Sequence, residues 1–120
     1  MSTHNELGVR GELIALEFLE KKSYDILEIN WHFEKTEVDI IARDGNTIVI
    51  VEVKSRTTSA FGLPEEGVTP AKQKNLANAA EEYLERNNLD VDVRFDVISV
   101  TFNEATPKIF HIKDAFFPYE

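Results

Sequence analysis

The alternation of apolar and polar residues is clearest between residues 24 and 54, where it predicts three β-strands. In residues 24–33 the apolar side chains fall on every second position, which is typical of an edge or half-exposed strand. These apolar residues are Leu27, Ile29, Trp31 and Phe33. The segment Ile48–Val51 is apolar on both faces and indicates a strand inside a sheet. The polar cluster Asp44-Gly45-Asn46-Thr47 joins the second and third strands as a hairpin turn.

Two segments with a helical period lie on either side of these strands. The first runs from about Glu6 to Lys22, and Thr3 with Glu6 has the spacing of a capping box. Its buried stripe comprises Leu7, Gly11, Ala15, Phe18 and Leu19. The second helix begins at Thr69-Pro70, because a hydroxyl cap followed by proline favours a helix start, and it runs to about Arg86 or Asn87. Its buried side comprises Leu76, Ala80, Tyr83 and Leu84.

The last part of the chain predicts two more strands, Val93–Phe102 and Lys108–Lys113. The first of them is apolar on both faces, which indicates an internal strand. Arg94 and Asp96 share one of its faces and should neutralise each other or neighbouring charges. The aromatic tail from Phe116 to Tyr119 either closes the core or contacts a second subunit.

The hairpin brings acidic residues together. With Asp44 and Thr47 flanking the turn, Asp39 lies opposite Glu52 and Glu37 lies opposite Lys54, so all four side chains project from one side. Burying a carboxylate is costly unless it is paired, hydrogen-bonded or bound to a metal. The alternative is that Glu52 and Lys54 lie past the buried part of the strand and form a solvated ion pair, which contributes less than about 1 kcal/mol.

Composition narrows the class of protein. A chain of 120 residues without a linker-like stretch predicts one domain over residues 1–120, and the absence of cysteine excludes disulfides and thiolate metal sites. Because it has no apolar run of about 20 residues and no signal peptide, we expect a soluble, cytoplasmic protein that does not bind membranes. The net charge of −9 argues against a general electrostatic grip on nucleic acid, so such a role would need a local basic patch, a divalent metal or both.

Further residues carry two interpretations each. Glu12 shares the apolar stripe of the first helix and either reaches toward the sheet or is a boundary residue favoured by the helix dipole. Arg56 is a candidate phosphate contact or an ordinary surface residue. Lys72 and Gln73 lie at the start of the second helix, where free N–H groups favour anions, although Gln73 could also cap or bridge locally. The three histidines lack the spacing of a metal site.

The order of elements, with an acidic residue on the second strand and Glu-x-Lys on the third, resembles the PD-(D/E)xK, or restriction-endonuclease-like, superfamily. More closely, the chain is similar to the YraN-like bacterial family, which resembles archaeal Holliday-junction resolvases. The similarity spans about residues 7–101. It is carried by residues 7–12, 26–31, 37–45, 51–56, 61–64, 72–73 and 94–99. The chain departs from the family pattern at Thr36, where glycine is usual, and at His32, where a basic residue is usual, while Val38 replaces the superfamily proline.

The resemblance implies an α/β fold with a restriction-endonuclease-like core, in the order helix, three strands, helix, strand and a final strand, around a central mixed sheet flanked by helices. It also implies Mg²⁺-dependent cleavage of phosphodiester bonds in DNA, including branched DNA, by a homodimer, with Mn²⁺ able to substitute. Asp39 and Glu52 would hold the metal, Lys54 would orient or activate water, Glu12 would bind a second metal or position water, and Gln73 would be auxiliary. Glu37 could instead hold Lys54 in place.

Arg56 and Lys72 would contact the nucleic acid. The main alternative is a nuclease-like fold that binds nucleic acid or a protein partner without cutting. A further alternative is a stable domain in which the charged cluster is only an ion-pair network.

Overall fold

The computed structural model describes residues 6–57, 67–103 and 105–119. The elements are α1 (Glu6–Lys21), β1 (Asp25–Phe33), β2 (Thr36–Asp44), β3 (Thr47–Arg56), α2 (Pro70–Arg86), β4 (Val93–Thr101) and β5 (Lys108–Ile112). This is the predicted order. Within these residues no helix has both the length and the apolar character needed to cross a membrane.

The five strands form one mixed sheet in the order β1-β2-β3-β4-β5. The pair β3 and β4 is parallel, with α2 in the connection between them, and the other three pairs are antiparallel. The fold class is therefore confirmed, as are the edge position of β1 and the internal position of β4. Because β3 lies in the middle of the sheet, its residues 48–52 are buried on both faces.

The helices cover opposite faces of the sheet. Ile48 and Ile50 of β3 belong to the apolar cluster that includes α2, whereas Val49 and Val51 belong to the cluster that includes α1. This alternation explains why Ile48–Val51 is apolar at every position. Full burial of each such side chain contributes about 1.5–3 kcal/mol to stability.

The hairpin forms in the predicted register. Asp44 pairs with Thr47 and Ile40 pairs with Val51, and the pairs between them follow the same pattern. Gly45 has a φ of +63°, at the first central position of the turn, where a tight hairpin favours glycine. The start of α2 also agrees, since Thr69 Oγ1 accepts a hydrogen bond from the amide of Lys72 and Pro70 occupies the first turn.

Strand β1 differs from the predicted alternation. A register irregularity lies between Ile26 and Glu28, and Asn30 has a φ of +52°. As a result Leu27, Trp31 and Phe33 pack against the core whereas Ile29 is 51% exposed. Strand β3 is also longer than predicted, because its parallel pairing with β4 continues to Arg56. The predicted contribution of Thr3 to a cap and the motif at residues 61–64 lie outside the described residues.

A buried polar network confirms the predicted neutralisation of Arg94 by Asp96. Asp96 is completely buried, and its two carboxylate oxygens each accept a hydrogen bond of 2.9 Å from the Arg94 guanidinium. His111 Nε2 and the Asp114 amide lie 2.8 and 3.0 Å from the same carboxylate. Asp96 therefore stabilises three segments of the chain through one charged group. In the aromatic tail, Phe116 stacks on Phe95 of β4 and closes that side of the core.

Candidate active site

The site begins where backbone pairing between β2 and β3 ends. The last paired residues are Ile40 and Val51, and the predicted extension to residues 39 and 52 is replaced by a side-chain contact. The amide of Val53 donates a 2.8 Å hydrogen bond to Oδ2 of Asp39. The Asp39 carboxylate thus replaces the backbone carbonyl that would accept this amide in a regular antiparallel pair of strands. This bond holds its side chain beside β3.

Asp39 and Glu52 lie together at this point. Both are buried, with 8% and 4% exposure, and they are close enough for the charge of Glu52 to raise the pKa of Asp39. The interpretation of Glu52 as part of a solvated ion pair beyond the core is wrong, because β3 remains in the middle of the sheet here. Two carboxyl groups in contact repel each other unless a proton or a cation lies between them.

The electrostatics of Asp39 result from this geometry. Burial, followed by the neighbouring charge of Glu52, raises the pKa of Asp39 to about 8, although the bond from the Val53 amide opposes the rise. Glu12 adds a smaller repulsion in the same direction. In the metal-free site, Asp39 therefore keeps its proton near neutral pH.

Two lysines neutralise Glu52 from the other side. Lys54 Nζ lies 3.8 Å from Glu52 Oε2, and Lys72 Nζ contacts the same oxygen. Burial and the charge of Lys72 lower the pKa of Lys54. Burial opposes the charged form of Lys72, but its hydrogen bond to Glu52 raises its pKa overall. The remaining oxygen, Glu52 Oε1, is buried and has no hydrogen-bond partner among the described residues.

These side chains line a cleft of about 740 Å³. The first turns of α1 and α2 border it, together with the ends of β2 and β3. Of the residues predicted to be functional, those that line it are Glu12, Asp39, Glu52, Lys54 and Lys72. Glu12 lines the same cleft as the acidic pair, and its functional role stays a prediction.

Two of the predicted site residues are not part of the cleft lining. The Gln73 side chain donates a 3.0 Å hydrogen bond to the carbonyl of Val68, which is the local bridging interpretation. Arg56 ends β3, and its carbonyl accepts a hydrogen bond from the amide of Phe102. Glu37 lines the cleft, but one of its oxygens lies 3.4 Å from His32 Nε2 on β1. The roles of these residues in catalysis or binding stay predictions.

The structure also shows residues that the sequence pattern missed. The contact of Lys72 with Glu52 crosses from helix to sheet between residues far apart in the chain, so only the docking of α2 creates it. Lys35, Thr69 and Asn75 also line the cleft. The position of Thr69 at the cleft could have been predicted from the sequence. An N-cap hydroxyl locates the first turn of a helix, and first turns commonly border anion sites.

The donor set fits one hard divalent cation. Glu52 has a buried carboxylate oxygen without a hydrogen-bond partner in the described part of the chain, and it lies beside the Asp39 carboxyl. Such oxygens are the ligands that Mg²⁺ prefers, and Mg²⁺ keeps several waters instead of requiring a full protein cage. Within the described residues, no group of three or more histidine, aspartate or glutamate side chains is close enough to hold a metal. The role of Glu12 as a metal ligand stays a prediction.

Comparison with known proteins finds sequence similarity over nearly the whole chain. The profile of a family described as "Uncharacterised protein family UPF0102" matches residues 11–100. A UPF0102 protein of Christiangramia forsetii is 50% identical over 117 residues, covering 98% of each chain. A UPF0102 protein of Flavobacterium psychrophilum is 49% identical, covering 99% of this chain and 100% of the relative. A UPF0102 protein of Geobacter metallireducens is 48% identical, covering 97% of each chain. The chain therefore belongs to the UPF0102 family.

Proposed function

We propose that this protein is a divalent-metal-dependent endonuclease that hydrolyses phosphodiester bonds in DNA, with branched DNA as the substrate class suggested by its likeness to junction resolvases. The observation that carries the proposal is the convergence of Asp39, Glu52 and Lys54 on one cleft, where one oxygen of Glu52 has no hydrogen-bond partner within residues 6–57, 67–103 and 105–119. The acidic residue on β2 and the Glu-x-Lys on β3 also support membership of the PD-(D/E)xK superfamily.

Each residue of the cleft has its own role in the proposed reaction. Asp39 and Glu52 would hold Mg²⁺, or Mn²⁺ in its place, and the bound metal supplies positive charge and an activated water near the phosphate. Lys54 adjoins the carboxylate pair. Its lowered pKa makes the neutral amine more accessible than in a free lysine, so it can accept a proton from water as well as orient it. Glu12 lines the cleft from α1 and can position a water molecule.

The strong negative charge of the chain does not oppose this role locally. Lys54 and Lys72 both contact or approach Glu52, and Lys35 lines the same cleft. Together with a metal these cations would offset the acidic groups around a bound phosphate. We expect Arg56, next to the cleft on β3, to contact the nucleic-acid backbone, and a homodimer would suit a substrate with two symmetric strands.

The test is metal-dependent cleavage by the wild type and the Glu52→Gln variant. Mg²⁺ or Mn²⁺ is titrated with branched, single-stranded and duplex DNA, and products are resolved by size. We expect the variant to lose at least about 100-fold in rate, because it loses a metal-ligating carboxylate while keeping the side-chain shape. Glu82→Gln, on the exposed side of α2, is the matched control and should cut like the wild type. Equal metal-dependent cutting by Glu52→Gln would refute the proposed site.

A second candidate function is a module that binds nucleic acid or protein without cutting. The observation that favours it is the double lysine contact to Glu52, which neutralises that carboxylate without any metal. With binding to the same DNAs also measured by fluorescence anisotropy, tight binding by the wild type and no cleavage under either metal would support this alternative.

A further inference from the structure

In the metal-free protein, the ammonium group of Lys72 contacts Glu52 at the position where the proposed function requires a metal ion. The Glu52 side chain is 5% exposed, and its Oε2 is the atom that Lys72 contacts. The other oxygen, Oε1, has no hydrogen-bond partner among the described residues. One carboxylate oxygen is therefore already bound to a positive charge, and the second is left for another cation or a proton.

Lys72 has the freedom to leave. Its side chain is 40% exposed, compared with 29% for Lys54, and it extends from the first turn of α2 into the cleft. A positive charge in the first turn of a helix is unfavourable because of the helix dipole, so its position there depends on Glu52. When a divalent ion binds Glu52, charge repulsion at such short range acts against the ammonium group staying in contact.

We propose that Lys72 competes with the metal for Glu52, an inference that rests on the proposed function. Lys72 contacts Glu52 in the metal-free protein and is displaced into the cleft when a divalent cation binds. In this role Lys72 is a positioning residue for the acidic pair, distinct from Lys54. It keeps two buried carboxyl groups balanced in the absence of metal and sets a threshold for metal binding.

The test is the affinity for Mg²⁺ alone, measured by calorimetry without nucleic acid. The measurement is made at about pH 9, above the pKa of Asp39, so that protons do not mask the competition. Lys72→Met keeps an apolar stem without the charge, and we expect it to bind Mg²⁺ at least about tenfold more tightly than the wild type. Lys72→Arg keeps the charge and should bind as weakly as the wild type. Lys74→Met, an exposed lysine outside the cleft lining, is the matched control and should not change the affinity.

A second measurement needs no variant. In uniformly isotope-labelled wild-type protein, the side-chain amine signal of Lys72 should shift on adding Mg²⁺, together with the backbone amide signal of Val53, which reports on Asp39. A shift at Val53 with an unchanged Lys72 signal would overturn the inference, as would equal Mg²⁺ affinity of Lys72→Met and the wild type. Either result would leave the proposed metal site intact. If folded wild-type protein bound no Mg²⁺ at all, the proposed function itself would fail and this inference with it.

Discussion

At the scale of single residues, Asp39 has two tasks that depend on each other. It accepts the Val53 amide, and it lies against Glu52 in a buried position. The first task needs only an oxygen, whereas the second depends on its charge. A substitution by asparagine therefore separates them, because the amide oxygen can still accept the bond.

We predict that Asp39 makes the metal-free protein less stable as the pH rises. Its pKa is raised to about 8, so between its ordinary value of 3.8 and that point the native state holds a proton that the unfolded state releases. The free energy of unfolding should fall with rising pH across this window, by up to about 1.4 kcal/mol per pH unit from this group. Urea unfolding in the presence of a chelator, at several pH values from about 5 to about 7, measures the slope.

The Asp39→Asn variant should lose this part of the slope, and Asp90→Asn, at an exposed position, should keep it. Asp96 does not interfere, because hydrogen bonds from His111 and Arg94 outweigh its burial and lower its pKa, so its contribution is lost only in acid. Identical slopes for the wild type and Asp39→Asn would contradict the prediction.

At the scale of elements, the site depends on how closely α1 approaches β3. Gly11 is buried in the contact, and a Cβ added to it would lie 1.7 Å from Oγ and 3.0 Å from Cβ of Ser55. Ser55 directly follows Lys54, and Glu12 directly follows Gly11. The absence of a side chain at Gly11 therefore lets α1 bring Glu12 to the cleft.

We predict that Gly11→Ala destabilises the protein by about 1–3 kcal/mol, because the overlap with Ser55 forces α1 outward. At an ordinary helix position the same change would stabilise by about 0.5–1 kcal/mol. The free energies of unfolding of Gly11→Ala, Ser55→Gly and the double variant form a double-mutant cycle. The double variant should recover most of the loss at Gly11, and strictly additive effects would show that the overlap is not the cause.

The elements show which parts of the structure the sequence could predict. The predicted hairpin register is confirmed as far as Ile40 and Val51, since the turn and the alternation determine it. The contact beyond that pair could not be predicted, because a carboxylate that replaces a backbone carbonyl leaves no trace in a hydrophobic pattern. The irregularity near Asn30 could not be predicted for a similar reason. A positive φ at a residue other than glycine leaves no signal in the alternation of apolar and polar residues. The Lys72–Glu52 contact depends on tertiary docking, so sequence spacing does not reveal it.

At the scale of the whole molecule, the excess of acidic residues extends into the cleft. The chain carries −9 overall, and the cleft is lined by four acidic side chains as well as by Lys35, Lys54 and Lys72. Binding of nucleic acid would therefore rest on a few contacts at this place, and Arg56 at the end of β3 extends the set. A protein of this kind releases few counterions when it binds DNA.

We predict a shallow salt dependence of DNA binding, measured by fluorescence anisotropy with Ca²⁺ in place of Mg²⁺ to limit cleavage. Two or three phosphate contacts give a slope of log K against log salt of about −2 to −3, and Arg56→Met should reduce its magnitude by about 1. Arg86→Met, at the far end of α2 and paired with Glu82, is the matched control and should leave the slope unchanged. A steep slope shared by all three proteins would place the contacts elsewhere.

The bond between Asp39 and the Val53 amide has a consequence for motion. Beyond Ile40 and Val51, the two neighbouring strands are joined by a side chain instead of by paired backbones. Rotation about the side-chain bonds of Asp39 would change this contact without breaking a backbone hydrogen bond between the paired residues of the two strands. In the proposed metal site, the spacing of the two acids would therefore depend on one side chain and not on the backbone of the sheet.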